Sequence, residues 1–421
     1  MTGKNPTKLL QFLFDKSWRA ASPQKCLPPF LPEPPVRRTI VIGAGKASAE
    51  MAMALEQHWP VEHQDELSGT VLTRYGHSAP TRHVKIIEAA HPVPDEAGLK
   101  GTREILDLVS NLSQDDLVIC LISGGGSALL TAPAGDITLA EKQDINRQLL
   151  ASGAPIDEMN CLRKHLSAVK GGRLAVAAFP AKMVTLMISD VPGDDPSIIA
   201  SGPTVADVST TQQALAIVEK YNLHLPQSIE RFLHSRQAET PNPGDPRLAN
   251  TENHIIAAPA QSLEQAVIAA KEAGYEVTNL GDAIEGEARE VARQHAKLAL
   301  SAKPGVIISG GETTVTIKGR GRGGRNGEYA LALAIALDGA PNIHAIACDT
   351  DGIDGIENNA GAIITPTTLS RAREAGMDPQ SYLDNNDAFS FFEKLGDLVI
   401  TGPTRTNVND FRAILINHFK A

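Results

Sequence analysis

The sequence predicts an α/β protein made of two open-sheet domains with a cleft between them. Its 421 residues exceed the length of one ordinary domain. Short apolar runs that end in turn residues alternate with amphipathic stretches along most of the chain, a pattern typical of strands joined by helices. The alternation stops once, in HSRQAETPNPGDPRLANTEN, whose composition indicates a linker.

The predicted elements follow the same order in both halves. A helix is expected up to about Ala21, and a proline-rich segment then leads to the strand RRTIVIGAG. Further strands are predicted at GTVLTRYG, VKIIEAAHP, DLVICLISGGG and KMVTLMISDVPGD, and after the linker at NHIIAAP, YEVTNLG, PGVIISGGETTVTI, NIHAIACDTDG and GDLVITGPT. Because helices separate most of these strands, we expect parallel pairing through right-handed crossovers.

Composition narrows the classes of function. The formal charge of −10 excludes a general nucleic-acid binder, which needs a basic face, but it permits an anionic ligand in a basic cleft. The four cysteines have no metal-ligand spacing. No apolar run approaches the roughly 20 residues of a membrane span, and the N-terminus lacks the apolar core of a signal peptide. We therefore expect a cytoplasmic protein with no membrane partner.

The stretch VIGAGKASAE places a lysine after a strand that ends in glycines. It is not a P-loop, because Lys46 is followed by Ala47 and the first glycine is missing. It matches a dinucleotide fingerprint at Gly43 and Gly45, whereas Ser48 replaces the third glycine. A cation at the start of a helix is unfavourable, so Lys46 indicates an anion nearby.

Two further segments of the first half could bind anions. In LISGGGSALL, the turn Ser123, Gly124, Gly125, Gly126 and Ser127 offers successive backbone N–H groups to phosphate oxygens. In NCLRKHLSAVKGGRLA, basic side chains cluster in an otherwise acidic protein, although a solvated helix face would look the same; they are Arg163, Lys164, His165 and Lys170.

Aspartates at strand ends and an arginine in a glycine-rich loop are further candidate site residues. Asp190 directly follows a predicted strand, where a carboxylate can hold Mg²⁺ or accept a hydroxyl proton. Arg325 lies in a glycine-rich loop before an apolar helix, a context suited to binding a carboxylate or phosphate. ACDTDGIDG supplies three further aspartates, Asp349, Asp351 and Asp354. Such a cluster at a strand end can bind Mg²⁺ or orient a substrate, and the alternative is a turn held by aspartate side-chain bonds. Together these groups indicate phosphoryl transfer.

Taken in order, six motifs resemble the two-domain glycerate 2-kinases. They are VIGAGKASAEMA, LISGGGSALL, NCLRKHLSAVKGGRLA, ISDVPGDDPSIIASGPT, GGETTVTIKGRGRGGRNGEYAL and CDTDGIDG. The similarity runs from about Lys8 nearly to the C-terminus, and the second half resembles the MOFRL domain of that family. Some relatives carry the name hydroxypyruvate reductase.

The resemblance implies two Rossmann-like α/β/α domains with the active site in the cleft between them. The first would span residues 1–240 and include a returning segment, 405–421; the second, the MOFRL domain, would span residues 250–404. It also implies ATP-dependent, Mg²⁺-assisted phosphorylation of D-glycerate at its 2-hydroxyl, and it leaves a homodimer open.

The resemblance carries roles to individual residues. Lys46, Asp190 and Arg325 are expected to be catalytic, and the glycine-rich turns that hold Gly43, Gly45 and residues 123–127 are expected to bind ATP. Arg163, Lys164 and Asp351 are expected to bind substrate, with Asp190 and Asp351 as metal ligands. The alternative is an NADP-dependent hydroxypyruvate reductase, supported by Gly43, Gly45 and Arg74.

Overall fold

The computed structural model describes residues 5–417, which fall into two compact units. One unit is Cys26–Ile256, and the other combines the N-terminal segment up to Lys25 with the chain from Ala257 onward. Each unit is built around one six-stranded sheet, so the predicted α/β class is confirmed. None of the helices within residues 5–417 has the length and apolar character that a membrane crossing requires.

The first sheet has six strands. They are β1 (Thr39–Ala44), β2 (Leu67–Arg74), β3 (Val84–Ala89), β4 (Leu117–Ile122), β5 (Lys182–Ile188) and β6 (Thr251–Ala257). The strands of the second half are β7 (Val277–Asn279), β8 (Gly286–Glu287), β9 (Gly305–Gly311), β10 (Thr313–Thr314), β11 (Ile343–Asp349), β12 (Gly361–Ile364), β13 (Leu398–Val399) and β14 (Asp410–Ile416). Of these, β8 and β10 form a separate two-stranded ladder.

The α-helices fill the intervals between the strands and cover the sheets. In chain order they are α1 (Pro6–Ala20), α2 (Pro23–Cys26), α3 (Ser48–His58), α4 (Glu96–Val109), α5 (Gly126–Leu129), α6 (Leu139–Ser152), α7 (Ile156–His165), α8 (Arg173–Ala178), α9 (Thr211–Lys220), α10 (Gln227–Leu233), α11 (Pro259–Glu272), α12 (Ala288–Ser301), α13 (Arg325–Leu337), α14 (Thr368–Glu374), α15 (Pro379–Asp384) and α16 (Ala388–Leu395). Short 3₁₀ turns occur between several of them.

The first sheet has the order β3-β2-β1-β4-β5-β6, and β1 to β5 pair in parallel. The chain runs outward from β1 to β3 and then crosses to the other side of β1 to form β4. The strand order therefore reverses between β1 and β4. In open parallel sheets such a reversal leaves a crevice at the carboxyl ends of the strands, and ligands bind there.

The second sheet, β13-β12-β11-β14-β9-β7, is mixed, contrary to the expectation of parallel pairing. Strand β14 lies between β9 and β11 and is antiparallel to both, and β12 is antiparallel to β11. The loop from β11 to β12 contains no helix. Because a parallel neighbour needs a long crossover, such a loop favours the antiparallel pairing of these two strands.

The expected domain boundaries need three corrections. Residues Thr251–Ala257, expected in the second domain, form β6 of the first sheet. The segment predicted to return to the first domain contributes β14, a central strand of the second sheet; residues 418–421 lie outside the described residues. Helix α1 also belongs to the second unit, since Ser17 Oγ lies 3.1 Å from Ser262 Oγ of α11 and the rings of Phe14 and Phe411 are 5.7 Å apart. The apolar face of α1 is evident in the sequence, but its packing partner is not.

Candidate active site

The glycines at the end of β1 allow it to pack closely against β4. A Cβ atom on Gly43 would lie 2.1 Å from the carbonyl oxygen of Leu121, and one on Gly45 would lie 2.1 Å from Ser123 Oγ. No side chain fits either position. The resemblance assigned both glycines to nucleotide binding, and the structure gives each a steric role in joining the two strands.

Lys46 lies where the turns after β1 and β4 meet. Its backbone N–H donates to the carbonyl oxygen of Gly124 at 2.8 Å. A Cβ atom on Gly125 would lie 3.4 Å from Lys46 Cγ, so the lysine side chain passes beside the glycine-rich turn. The side chain is partly exposed. Lys46 therefore stands at the reversal point of the sheet, next to the turn predicted to bind phosphate.

The hydroxyl group of Ser123 supports the turn from inside. It is fully buried, accepts the N–H of Ala47 at 2.9 Å, and lies 3.3 Å from Ser48 Oγ. Ala47 caps helix α3, so this bond fixes the start of that helix against β4. Since its hydroxyl is used in this way, Ser123 positions the turn.

Asp190 follows β5 by two residues and is partly exposed. Strands β1, β4 and β5 are parallel neighbours, so the residues that follow them lie at one edge of the sheet. This edge carries Lys46, the turn Gly124–Ser127 and Asp190. The structure thus brings together, in one unit, the cation, the backbone cradle and the carboxylate that the sequence placed in separate motifs.

Ser127 has a buried neighbour that sequence reasoning missed. The ammonium group of Lys170 lies 2.5 Å from both the carbonyl and the hydroxyl oxygen of Ser127, and the Ser127 hydroxyl lies 2.9 Å from that of Ser201. Lys170 is only 3% exposed. The sequence grouped Lys170 with the basic residues before it, and only the fold shows that it stands behind the glycine-rich turn.

The structure gives Arg163 and Lys164 partners within the protein. Lys164 Nζ lies 3.3 Å from Asp207 Oδ1, and both side chains are buried. Burial raises the pKa of Asp207, but the charge of Lys164 and bonds from Ser209 outweigh it, so the net shift is downward. Arg163 Nε donates to Asn146 Oδ1 at 3.1 Å. The ion pair accounts for Lys164 without the expected substrate.

In the other unit, Arg325 is surrounded by carboxylates. Its Nε donates to Asp410 Oδ1 at 2.8 Å, Nη1 to Glu312 Oε1 at 2.5 Å, and Nη2 to Asp349 Oδ2 at 3.0 Å. Glu312 follows β9, Asp349 ends β11 and Asp410 begins β14, so one guanidinium group joins three strands. Three carboxylates already accept hydrogen bonds from its donors, and Asp410 also pairs with Arg412, so a substrate anion at Arg325 would have to compete with these carboxylates.

Asp354 occupies the N-terminus of α13. Its carboxylate accepts the N–H of Asn326 at 2.9 Å and that of Gly327 at 2.8 Å. The neighbouring Asp351 accepts the N–H of Ile353 at 2.9 Å, the bond of an aspartate turn, and is 2% exposed. The N-terminus of α13, where the sequence suggested that an anion binds, is already occupied by the carboxylate of Asp354.

Burial raises the pKa of Asp354 to about 6, although the two N–H bonds oppose the shift. The folded protein thus holds a proton here that the unfolded chain releases near its usual pKa of 3.8. The resulting stabilisation is complete below that pH and is lost as the pH rises through 6. A shift of about two pKa units corresponds to at most about 3 kcal/mol.

We therefore expect the stability difference between wild type and Asp354→Asn to change with pH. Urea unfolding at pH 4 and pH 7 should show the advantage of the wild type shrinking as the pH rises. Asp65→Asn, which removes an exposed carboxylate, is the control for loss of one charge. A difference that grows with pH would contradict the predicted sign.

The first unit therefore has the features of a parallel α/β domain with a crevice at the reversal point of its sheet. A model described as a domain of unknown function, DUF4147, matches residues 9–234, and the MOFRL family model matches residues 305–410. The chain belongs to the two-domain family that these models define.

Named relatives cover nearly the whole chain. A D-glycerate 2-kinase of Thermotoga maritima is 42% identical over 96% of this chain and 96% of its own. A protein of Agrobacterium vitis, provisionally named a hydroxypyruvate reductase, is 52% identical over 97% of this chain and 94% of its own. The crystal structure of a glycerate kinase from Thermotoga maritima superposes with a TM-score of 0.88 at 41% identity, covering 97% of this chain and 99% of that one.

Proposed function

We propose that this protein is a glycerate 2-kinase that transfers the terminal phosphoryl group of ATP to the 2-hydroxyl of D-glycerate. The observation that carries the proposal is the placement of Lys46 beside the glycine-rich turn at the reversal point of the first sheet, with Asp190 at the same edge. Relatives named glycerate kinase over nearly the full length support it. The proposal includes a cytoplasmic location, where ATP is available.

Each group has one task in this reaction. The backbone of Gly124–Ser127 would bind phosphate oxygens, and Lys46 would offset the negative charge that spreads over the transferred group in the transition state. Asp190 would orient the 2-hydroxyl of glycerate and accept its proton as the oxygen attacks phosphorus. Positioning and charge neutralisation supply most of the rate in such reactions.

The donors offer Mg²⁺ only a partial site. Within residues 5–417, no group of three or more His, Cys, Asp or Glu side chains is arranged to hold a metal ion. One Asp351 carboxylate oxygen already accepts a backbone N–H. Mg²⁺ in kinases is commonly held by one or two carboxylates together with the nucleotide phosphates. Asp190 suits that arrangement better than Asp351, and the roles given to Lys46 and Asp190 do not depend on the ion.

The competing function is an NADP-dependent hydroxypyruvate reductase. In a dinucleotide site, the second glycine of the fingerprint lets the pyrophosphate approach the backbone. Here Ser123 occupies the space beside Gly45, which favours the kinase. Two parallel assays separate the functions: glycerate with ATP and Mg²⁺, and hydroxypyruvate with NADPH. We expect ADP that depends on glycerate; NADPH consumption without it would overturn the kinase, and phosphorus NMR of the product would distinguish the 2- from the 3-phosphate.

Replacing Asp190 by Asn should lower kcat by roughly 10² to 10⁴, because a general base is lost while the shape of the side chain is retained. The kcat of glycerate-dependent ADP formation is the measurement. Asp195→Asn, in the same loop and exposed, is the matched control. Wild-type turnover in the Asp190 variant would exclude it as the base.

A further inference from the structure

Three largely buried cationic side chains of the first unit remain without a function. They are Lys142 on α6, Arg163 on α7 and Lys170, all in the unit Cys26–Ile256. Lys142 is 5% exposed, and among the described residues its Nζ atom has no hydrogen-bond partner. A buried ammonium group is costly unless an anion or hydrogen-bond acceptors compensate it.

The helix makes the position of Lys142 more costly. Lys142 lies in the first turn of α6, whose dipole disfavours a cation. The adjacent carboxylate of Glu141 does not compensate it, because it accepts the N–H and hydroxyl of Thr138 and the hydroxyl of Ser228. The position of Lys142 is therefore unfavourable both for burial of its charge and for the helix dipole. Such local conflicts are expected at binding sites.

Charge accumulates around the same point. Burial and then the charges of Lys142 and Arg163 lower the pKa of Lys170 well below its ordinary value. Burial and then the charge of Arg163 lower the pKa of Lys142 to about 8. Arg163 Nε donates to Asn146, one turn after Lys142 on α6, so Arg163 faces the same side of that helix as Lys142. The neighbouring charges that shift the pKa values of these two lysines are all positive. A bound anion would relieve both burial and repulsion.

We propose that Lys142 and Lys170, together with the Ser127 hydroxyl, form a subsite for an oxyanion of the reactants. Lys170 contacts Ser127, and Ser127 is partly exposed, so the turn is the point at which a ligand reaches the group. The oxyanion is the carboxylate of the sugar acid or a phosphate oxygen of the nucleotide. This inference rests on the proposed kinase function and extends its binding site to Lys142, which the sequence motifs did not single out.

The test replaces Lys142 by Met, which keeps the length of the side chain and removes the charge. Titration calorimetry with D-glycerate and, separately, with ADP measures the dissociation constants. We expect the dissociation constant of at least one probe to rise about tenfold or more, since a charged contact is removed. Weaker glycerate binding assigns the subsite to the carboxylate, and weaker ADP binding assigns it to phosphate. Unchanged constants for both probes overturn the proposal.

A melting experiment without ligand separates a binding role from a structural one. If the charge is uncompensated, Lys142→Met should melt at a higher temperature than wild type, because an apolar group replaces a buried cation. Lys85→Met, at an exposed lysine that pairs with Glu104, is the control. A lower melting temperature, or failure to fold, would show that Lys142 has a structural partner and would overturn the subsite.

The two proposals fail in different ways. If wild type forms no ADP from glycerate and ATP, the kinase function fails, whereas altered ADP or glycerate binding in Lys142→Met still demonstrates the subsite. If wild type is an active kinase and Lys142→Met binds both probes normally, the subsite alone is wrong.

Discussion

Replacing Lys46 by Met should lower kcat by roughly 10² to 10³, the usual cost of removing one group that stabilises transition-state charge. The side chain is partly exposed and passes beside Gly125, where it can meet a transferred phosphoryl group. The hydrogen bond from Lys46 to the glycine-rich turn is made by its backbone N–H, which the substitution preserves. We therefore expect the variant to fold.

The measurement is kcat and kcat/KM for glycerate-dependent ADP formation. Both should fall by a similar factor, because an interaction made only in the transition state has been removed. Lys182→Met is the matched control: that lysine lies on β5 and is exposed where it pairs with Glu252. Normal turnover in Lys46→Met, or activity lost only in proportion to stability, would exclude the proposed role.

Replacing Arg325 by Met should destabilise the protein rather than remove a substrate contact. Asp349 and Asp410 are at most 5% exposed, and each would lose a partner. Breaking a buried pair on one side typically costs about 3 to 5 kcal/mol. Asp410 would keep Arg412 and Asn326 as partners, so we expect a loss toward the lower end of that range. Urea unfolding should show this loss, and Arg325→Lys should recover only part of it, since a point charge cannot reproduce three directed bonds.

Arg320→Met is the control, since Arg320 lies exposed in the same glycine-rich loop. We expect its stability to equal that of the wild type. If Arg325→Met instead keeps full stability while activity disappears, the arginine contacts substrate, as its motif predicted, and the carboxylates around it do not need it for folding.

Lys46 and Arg325 show which features of a site a sequence motif predicts and which it does not. Both were predicted as anion-binding residues from the same kind of signal, a cation beside glycines at the start of a helix. For Lys46, the structure places a backbone cradle beside the side chain. For Arg325, β14 brings Asp410 to the guanidinium group from 85 residues further along the chain. No local pattern reports so distant a partner.

The glycines of β1 give a second example. Their spacing matches a dinucleotide fingerprint, and their positions in the structure are explained by the approach of β4. The residues around Gly43 in the sequence do not predict that the carbonyl oxygen of Leu121, in another strand, lies against it. The same holds for Lys142, whose missing partner becomes evident only after α6 has been packed.

The sequence by itself determined the α/β class, the ends of the principal strands and the placement of Lys46, Asp190 and the glycine-rich turn at those ends, because these depend on apolar periodicity and turn residues within a few positions. The tertiary structure alone decided the antiparallel insertion of β14, the unit to which α1 belongs and the residues that neutralise each charge. Those features depend on contacts between distant segments, and the free energy of a buried charge is set by its neighbours in space.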